Sequence, residues 1–428
     1  MKSNFTAKKG IFYGWWVVLA RLLIFFGIAA SPFTVILKQL MNEFDTGRGA
    51  VSLLPSISCI AGAICSYFVA TLLEKHSIRK FLLWGMVIGG ISFLLCATVN
   101  RLWQLYLLYF VLGFGIHGIA GSVPLATLVS KWFNRKRGLA MGITWAGLPI
   151  GMMAIIPIVG VIATNFGWRA TYLFAGALTL AISIPLTLLI IKDSPEEMGL
   201  LPDGDVSVNE NAATPKIAEN NNDSITEKPR LSAYLRRIPL WLVCLSFFLM
   251  MLGEMAVVTH EVAFLTDMGI SAVLAASTFG VTAGLSGLGR TISGWLADKI
   301  SIRYLIILLL VIEIIGILVL LRANSMALVW TFVIIFGIAS GSSFSLLPLV
   351  IRDIFSAKAQ NILFGFANTL FIIAQASGAP FSGFIFDATG SYHWVFITVI
   401  GFNLVAMIAI YFAYGTRLGQ FHISRKTT

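Results

Sequence analysis

The chain has 428 residues, of which 58% are hydrophobic and only 11% charged. Soluble domains carry about 25% charged residues, so this composition excludes a water-soluble globular protein. The formal net charge of +11 would by itself be compatible with nucleic-acid binding. The positions of the basic residues along the chain, described below, distinguish this from a signal of membrane topology.

Twelve apolar stretches are each long enough to cross a bilayer, which takes about 20 residues. Their approximate cores are 13–37, 51–72, 81–98, 102–129, 139–164, 169–191, 240–265, 272–296, 304–321, 325–350, 361–386 and 392–414. Because a bilayer offers no water to exposed backbone groups, such stretches must be helices. The sequence therefore predicts an all-α membrane protein with twelve transmembrane helices, numbered below as spans one to twelve.

A polar stretch, residues 193–238, separates six spans from the other six. It contains few aromatic residues and clusters of charged and amide side chains, which is typical of a flexible connection. We therefore expect an N-terminal six-helix bundle over 1–192, a cytoplasmic linker over 193–238 and a C-terminal six-helix bundle over 239–428.

The two halves repeat the same backbone signals. Four glycine or proline positions of the first half return 223 residues later in the second: Gly142, Pro157, Gly160 and Gly167 match Gly365, Pro380, Gly383 and Gly390. Glycine and proline constrain the backbone, so their repeated spacing indicates a repeated fold. Two similar membrane halves are typical of a transporter with a central site between them.

Lysine and arginine are concentrated on one side of this topology. With the N-terminus inside, the inner loops and tails hold 23 of the 30 basic residues and the outer loops five, while Arg21 and Arg290 lie within spans. This asymmetry follows the positive-inside rule and predicts that both termini are cytoplasmic in a cell (plasma or inner) membrane. The positive charge is thus a signal of topology, and we expect the lipid bilayer and no nucleic acid as partner.

One loop pattern occurs in both halves. Its better copy runs from Gly294 through Asp298 and Lys299 to Arg303, and its weaker copy runs from Ala70 through Glu74 and Lys75 to Arg79. This pattern resembles the signature of the major facilitator superfamily. Four further stretches are similar to its monocarboxylate porter and oxalate/formate antiporter branch: 13–16, 131–142, 167–169 and 288–290.

The resemblance implies two pseudo-symmetric six-helix bundles that rock about a central cavity and open it to each side in turn. It implies a secondary active transporter of a small organic anion, with monocarboxylates as the favoured class. The repeated loops would then act as gates that latch the inner ends of the helices. The gating residues expected on this basis are Asp298, Lys299, Arg303, Glu74, Lys75 and Arg79.

Two arginines inside spans are the first candidates for substrate binding. A charge in the middle of a membrane costs about 2.5–3.5 kcal/mol on insertion scales, so each needs a reason. Arg290 offers a fixed fork of donors that suits a carboxylate, and the resemblance implies that it contacts the substrate; the alternative is a salt bridge between helices. Arg21 lies at a similar depth in span one, where it could add to a cationic cavity, reach the membrane surface or pair with an acid.

Other polar groups in the spans are candidates for coupling or for lining the cavity. Glu254 and Glu261 lie seven residues apart on one face of span seven, where they could balance an arginine or carry a proton. His117 in span four could titrate near neutral pH, or could be a packing residue. Asn368 and Gln375 share a face of span eleven and are expected to bind substrate.

The chain also departs from the branch that it resembles. Proton-linked members have a lysine near the kink of span one, where this chain has Ala30–Phe33 and places Lys38 further outward. They have an acid where this chain has Ser286, and the oxalate exchangers have a lysine that is absent between Asn361 and Phe386. The coupling partner, a proton or a counter-anion, is therefore open.

Other functions compete with anion transport. The same fold could export a drug-like compound, which a large aromatic cavity with salt-bridged arginines would favour. A transporter-like sensor would need a folded linker or tail. The sequence has no phosphate-binding loop, metal cluster or nucleophile–base spacing, so we expect no enzymatic activity, no cofactor and no metal. We expect the protein to act as a monomer.

Overall fold

The structure is a computed structural model that describes residues 12–73, 76–204, 231–355 and 359–424. Within these ranges the regular elements are all helical. The α-helices are α1 Gly14–Ala29, α2 Phe33–Phe44, α3 Arg48–Leu72, α4 Ile78–Cys96, α5 Leu102–Gly113, α6 Ser122–Trp132, α7 Arg137–Leu189, α8 Leu231–Leu235, α9 Ile238–Asp267, α10 Ala272–Ala297, α11 Ile302–Leu321, α12 Met326–Ala339, α13 Ser342–Phe355, α14 Gln360–Thr389 and α15 Tyr392–Ser424. A π-helix, Phe114–Ile119, joins α5 to α6, and two 3₁₀ turns follow α7 at Pro195–Met198 and Pro202–Gly204.

Eleven helical segments in the described residues are long and apolar enough to cross a membrane. One of them, α7, has 53 residues, which at about 1.5 Å per residue far exceeds the roughly 30 Å of a bilayer core. Gly167 interrupts α7 with φ 79° and ψ 175°, a conformation that is essentially restricted to glycine. Because α7 makes two crossings, the predicted all-α membrane fold with twelve spans is confirmed.

Three of the predicted spans are broken in the structure. Span one is interrupted between α1 and α2, span four passes through the π-helix before α6, and span ten is interrupted between α12 and α13. At the last break Gly341 has φ 76°, which L side chains rarely adopt. Each break leaves backbone N–H and C=O groups inside the membrane that need partners from elsewhere.

The helices form two halves, α1–α7 and α9–α15, and the bundle has two ends. We call the end with residues 76–80, 131–137 and 299–303 the basic end, and the end with residues 45–48, 268–271 and 390–391 the opposite end. At the opposite end one hydrophobic core runs through both halves, with Leu54 and Phe93 from the first and Phe279 and Phe332 from the second. At the basic end each half has a separate core.

Glycines on α7 and α10 show where the halves part. Gly160 packs against Ala276, and Gly287 packs against the ring of Pro149, so the two helices are in close contact there. Towards the basic end, a Cβ added at Gly142 or Gly294 would meet no other atom within 4 Å. The halves therefore touch at the opposite end and separate towards the basic end.

The start of the predicted linker packs on the first half. Asp193 accepts a hydrogen bond of 2.6 Å from the backbone N–H of Arg79. Asp203 accepts bonds of 2.9 and 2.8 Å from the N–H groups of Asn134 and Arg135. Residues 193–204 are thus attached to the loops before α4 and α7, and residues 205–230 lie outside the described ranges.

Candidate functional site

Arg290 lies on α10 at the point where the two halves part. It follows Gly287, which packs on α7, by three residues and precedes Gly294, which faces open space, by four. Residues at this spacing share one face of a helix. The guanidinium carbon lies 4.4 Å from the centre of the Phe344 ring on α13. The side chain is half-buried, and its Nε has no hydrogen-bond partner among the described residues.

Glu254 on α9 lies near Arg290 but is bound to a different group. Its Oε1 accepts a hydrogen bond of 2.9 Å from the N–H of Gly341, and its Oε2 accepts one of 3.0 Å from the Ser343 hydroxyl. The charges of Glu254 and Arg290 interact, yet no nitrogen and oxygen of this pair come within the 4.0 Å of a salt bridge. The salt bridge that was the alternative role of Arg290 is thus not formed with Glu254 in this conformation.

The face of span eleven that carries Asn368 and Gln375 contacts this region through the ring pair Phe371–Phe344. Phe371 lies between Asn368 and Gln375 on the same face of α14, and its ring contacts Phe344 with 5.1 Å between centroids. Asn368 is part-buried and makes no hydrogen bond to another described side chain or backbone group. Gln375 accepts a long bond of 3.8 Å from the Cys59 thiol on α3. The structure therefore brings Arg290, Phe344 and this face of α14 together.

Arg21 is not part of this cluster. Its side chain is 1% exposed in the first half, and its Nη2 donates a hydrogen bond of 3.1 Å to the carbonyl of Ala120 at the break of span four. The guanidinium also lies 5.2 Å from the centre of the Phe25 ring. Enclosed in this way, Arg21 does not line an open cavity together with Arg290 in the described conformation.

The remaining coupling candidates are spread over the bundle. Glu261 is fully buried between α9 and α10, where one carboxylate oxygen accepts a bond of 3.0 Å from Thr282 and the other has no partner among the described residues. His117 is exposed within the π-helix and packs beside Gly62 of α3. Neither residue contacts the Arg290 cluster.

The expected gating residues that the structure describes, Arg79, Asp298, Lys299 and Arg303, lie at the basic end. Arg79 donates from Nε to the carbonyl of Thr187 at 3.1 Å and from Nη2 to that of Leu188, and so binds the last carbonyls of α7. Lys299 lies over the ring of Trp295, and Arg303 over that of Tyr411, at 3.7 and 3.9 Å from the ring centres.

Two of the expected gating residues, Glu74 and Lys75, lie outside the described residues. Asp298 is exposed and makes no hydrogen bond or ion pair with any residue that the structure describes. The expected latch at the inner ends of the helices is therefore not seen as a closed contact on the Asp298 side.

Sequence reasoning missed Phe344 and Ser343, which contact Arg290 and Glu254. Both follow the break at Gly341, and a single phenylalanine in an apolar span carries no signal of its own. The one available hint was the tripeptide Phe-Gly-Ile, which occurs at 114–116 and again at 336–338, because both spans break shortly after it.

Comparison with known proteins agrees with this geometry. The chain matches the model of the Major Facilitator Superfamily over residues 17–369 and 286–420. It is 25% identical to "Monocarboxylate transporter 13" of Bos taurus, covering 92% of this chain and 87% of that one. It is 24% identical to "Monocarboxylate transporter 4" of Rattus norvegicus, covering 94% and 85%.

A solved structure shares the fold at low sequence identity. It is that of a bacterial homologue of the human lysosomal transporter Spinster, in an inward-facing and unoccupied conformation, with a TM-score of 0.74 and 15% identity over 96% of this chain and 98% of that one. The family match, the paired six-span halves and the relatives all agree. The chain belongs to the major facilitator superfamily, and it is a multi-pass secondary transporter of small molecules rather than an enzyme.

Proposed function

We propose that this transporter carries a small organic anion, of the monocarboxylate class, and that Arg290 binds its carboxylate. The observation that carries the proposal is the state of Arg290, which is half-buried where the two halves part, forms no salt bridge with a described residue and has an unpartnered Nε among the described residues. A guanidinium fork in that condition suits a bidentate carboxylate. The names of the relatives, monocarboxylate transporters 13 and 4, support the same substrate class.

We place the basic end in the cytoplasm of a cell membrane, following the positive-inside rule. The described conformation, joined at the opposite end and separated at the basic end, is then inward-facing. The anion reaches Arg290 between α7 and α10 from the cytoplasm, and rocking of the halves exposes it to the other side. Since the cluster lies within one chain, we propose that the monomer transports.

We assign Glu254 the role of balancing the charge of Arg290 when no anion is bound. The two charges interact, so an anion that binds Arg290 repels Glu254, and a proton on Glu254 would relieve that repulsion. Proton symport is therefore the coupling that we propose, with exchange against a counter-anion as the alternative. Asn368 and Gln375 would contact the rest of the substrate, and Glu261 and His117 are further candidates for coupling.

Uptake of radiolabelled carboxylates into proteoliposomes tests the substrate site. Arg290→Lys keeps the positive charge but loses the forked guanidinium, and Arg290→Gln loses both the charge and the guanidinium. Uptake should therefore fall in Arg290→Lys and fall further in Arg290→Gln. A charge-assisted hydrogen bond contributes about 1.5–3 kcal/mol, which corresponds to a loss of roughly ten- to 150-fold in affinity. The matched control is Arg322→Lys, at an exposed arginine between α11 and α12.

A thermal-shift screen with carboxylates of graded length identifies the substrate class independently, because a ligand stabilises the state that binds it. Normal uptake by Arg290→Gln would refute the carboxylate site. A flat response to every acid, together with a shift by larger neutral or cationic compounds, would favour the exporter of drug-like compounds instead.

A further inference from the structure

The opposite end is closed by a polar network that joins the two halves through Arg48 of α3. Arg48 as a whole is 5% exposed. Its Nη1 lies 2.7 Å from Asp267 Oδ2 and donates to the Tyr392 hydroxyl at 2.6 Å. The backbone N–H groups of Arg48 and Gly49, at the start of α3, both donate to the Asp387 carboxylate at 2.8 Å. A side chain of the second half thus caps a helix of the first.

This network is specific to one end of the molecule. Wherever both partners are described, each hydrogen bond between the halves has its first-half partner within residues 38–59 of α2 or α3. The halves are separate towards the basic end. The network therefore has to break when the opposite end opens, and any group that titrates within it links opening to pH.

His260 of α9 belongs to this network, and its hydrogen-bond partners show which ring nitrogen carries the hydrogen. The ring is fully buried. Its Nε2 lies 3.0 Å from the carbonyl of Ala379 and 3.2 Å from the hydroxyl of Ser52, and its Nδ1 lies 2.8 Å from the hydroxyl of Tyr392. A carbonyl can only accept, so Nε2 carries the hydrogen. Nδ1 is then the acceptor, and Tyr392 donates to it.

The hydrogen bonds consequently run in one direction across the interface. Arg48 donates to Tyr392, Tyr392 donates to His260, and His260 donates to Ala379. A proton added at Nδ1 would face the Tyr392 oxygen, which already accepts from Arg48, and would leave the Tyr392 hydrogen without its acceptor. Neutral His260 fits the closed network, and protonated His260 breaks it.

The charged groups around His260 do not stabilise a protonated ring in the closed network. Arg48 of α3 adds a cation next to the Tyr392 that His260 binds. Asp267, at the end of α9, binds Lys38 of α2 and Arg48 through its two oxygens. Asp387 of α14 is occupied by the two backbone N–H groups, and Glu261, the next residue in α9, is bound to Thr282. None of these carboxylates forms an ion pair with the His260 ring among the described contacts.

We propose that His260 is a proton-binding site that controls the gate at the opposite end. The gate closes on the neutral ring and opens when the ring is protonated. When the gate opens, water reaches His260, and a histidine in water takes up a proton at about pH 6.5. Because the open state then binds one proton more than the closed state, acid shifts the population towards the open state. This holds for any substrate and goes beyond the proposed anion site.

Spin-label distances across the opposite end measure this equilibrium directly. The labels are placed at Asn42 of α2 and Asn324 between α11 and α12, two exposed positions in different halves, in a protein whose four cysteines are replaced by alanine. Double electron–electron resonance in lipid nanodiscs without substrate compares pH 8 with pH 5. We expect the open-to-closed ratio to rise about tenfold at pH 5, within the range of typical coupling between sites.

His260→Gln is the deciding variant, because glutamine supplies a donor group and an acceptor group but does not titrate. We expect it to close the gate at both pH values. His393→Gln is the matched control, since His393 is exposed next to Tyr392 and its ring lies outside the network; it should keep the full response. Tyr392→Phe removes the donor to Nδ1 and should widen the distance at pH 8 while weakening the pH response.

An unchanged distance distribution in the parent protein would overturn the proposal. So would a full pH response in His260→Gln, because the titrating group would then be a residue other than His260. If His260→Gln does not fold, Tyr392→Phe takes its place in the test. A pH response of the spin-label distance in Tyr392→Phe as large as in the parent protein would refute the role of the His260 ring. The measurement needs no anion, so its failure leaves the Arg290 site untouched.

Discussion

Glu254 accepts a 2.9 Å hydrogen bond from the backbone N–H of Gly341, the residue at which span ten is broken. In the other half, Arg21 donates a 3.1 Å hydrogen bond to the carbonyl of Ala120 at the break of span four. Spans one and seven, and spans four and ten, are equivalent in the repeat. In each half, therefore, a charged side chain of the half's first span binds a backbone group at the break of its fourth span. The cation Arg21 binds a carbonyl in one half, and the anion Glu254 binds an N–H group in the other.

The first prediction concerns the stability that Glu254 gives to this break. Glu254→Ala removes the acceptor of the Gly341 N–H and of the Ser343 hydroxyl, and each buried group left unpaired costs about 1–3 kcal/mol. Ser343→Ala removes one of the two bonds and should cost less. Thermal unfolding in detergent should give the order parent, Ser343→Ala, Glu254→Ala. Thr369→Ala, at an exposed site on α14, is the control, and an equal Tm for all variants would contradict the role.

The second prediction separates the two intramembrane arginines. Because Arg21 is 1% exposed and bound to Ala120, Arg21→Met should leave the dissociation constant of the anion unchanged in protein that folds. Arg290→Gln should weaken binding by roughly ten- to 150-fold. Isothermal titration with the best carboxylate measures both constants. Loss of binding in Arg21→Met with an unchanged Tm would show that Arg21 contacts substrate in another conformation.

The third prediction concerns the ring that holds Arg290. A cation–π contact such as the one between Arg290 and Phe344 contributes about 0.5–2 kcal/mol. Phe344→Leu releases the guanidinium, and anion affinity should fall by roughly two- to thirtyfold. Phe412→Leu, at a ring that is 57% exposed on α15, should bind as the parent does. Equal affinities in the two variants would mean that Phe344 does not orient Arg290.

The membrane scaffold could be predicted because its signals are local. Span length depends on runs of apolar residues, and the repeat is visible in the spacing of Gly142, Gly160 and their partners in the second half. The breaks of spans four and ten were missed because their stability depends on distant residues. Nothing in the sequence around Gly341 shows that Glu254, 87 residues earlier, accepts its N–H.

The candidate site could be predicted only in part, for a similar reason. Arg21 and Arg290 look equivalent in the sequence, since each lies about eight residues from the basic end of its span. Their surroundings differ in the structure, where one is enclosed and the other half-open. Likewise the sequence marks Arg48 only as one of five basic residues in the outer loops, because its partners Asp267 and Tyr392 are brought to it by the packing of the other half.

The fourth prediction is a pH dependence at the basic end. Burial alone would raise the pKa of Asp203, but the N–H groups of Arg135, Asn134 and Lys136 and the charge of Arg135 outweigh it and lower that pKa. A lowered pKa means that docking of the loop is fully stabilised above the ordinary aspartate value of about 3.9. The stabilisation is lost as the pH falls through the lowered value.

Hydrogen exchange, corrected for the intrinsic effect of pH, measures this docking. The amides of Asn134 and Arg135 should lose protection in acid, and Asp203→Asn should lose it already at pH 7. Glu197→Gln, at an exposed acid in the neighbouring 3₁₀ turn, should exchange like the parent. Protection that is the same in Asp203→Asn and the parent at pH 7 would show that the carboxylate does not hold the loop.

The fifth prediction tests the rocking motion through two glycines on one face of α10. Gly287 packs against Pro149, whereas Gly294 faces open space. Gly287→Val should therefore push α7 away and lower the Tm. Gly294→Val has room in the described conformation and should keep the Tm. It should still slow turnover, because closing the basic end brings α7 and α10 together there. Transport rates in proteoliposomes and Tm values check both variants.

The control is Gly401→Val, at another glycine with open space on α15, which should change neither the transport rate nor the Tm. Full turnover in Gly294→Val would mean that α7 and α10 do not come together at Gly294 when the basic end closes.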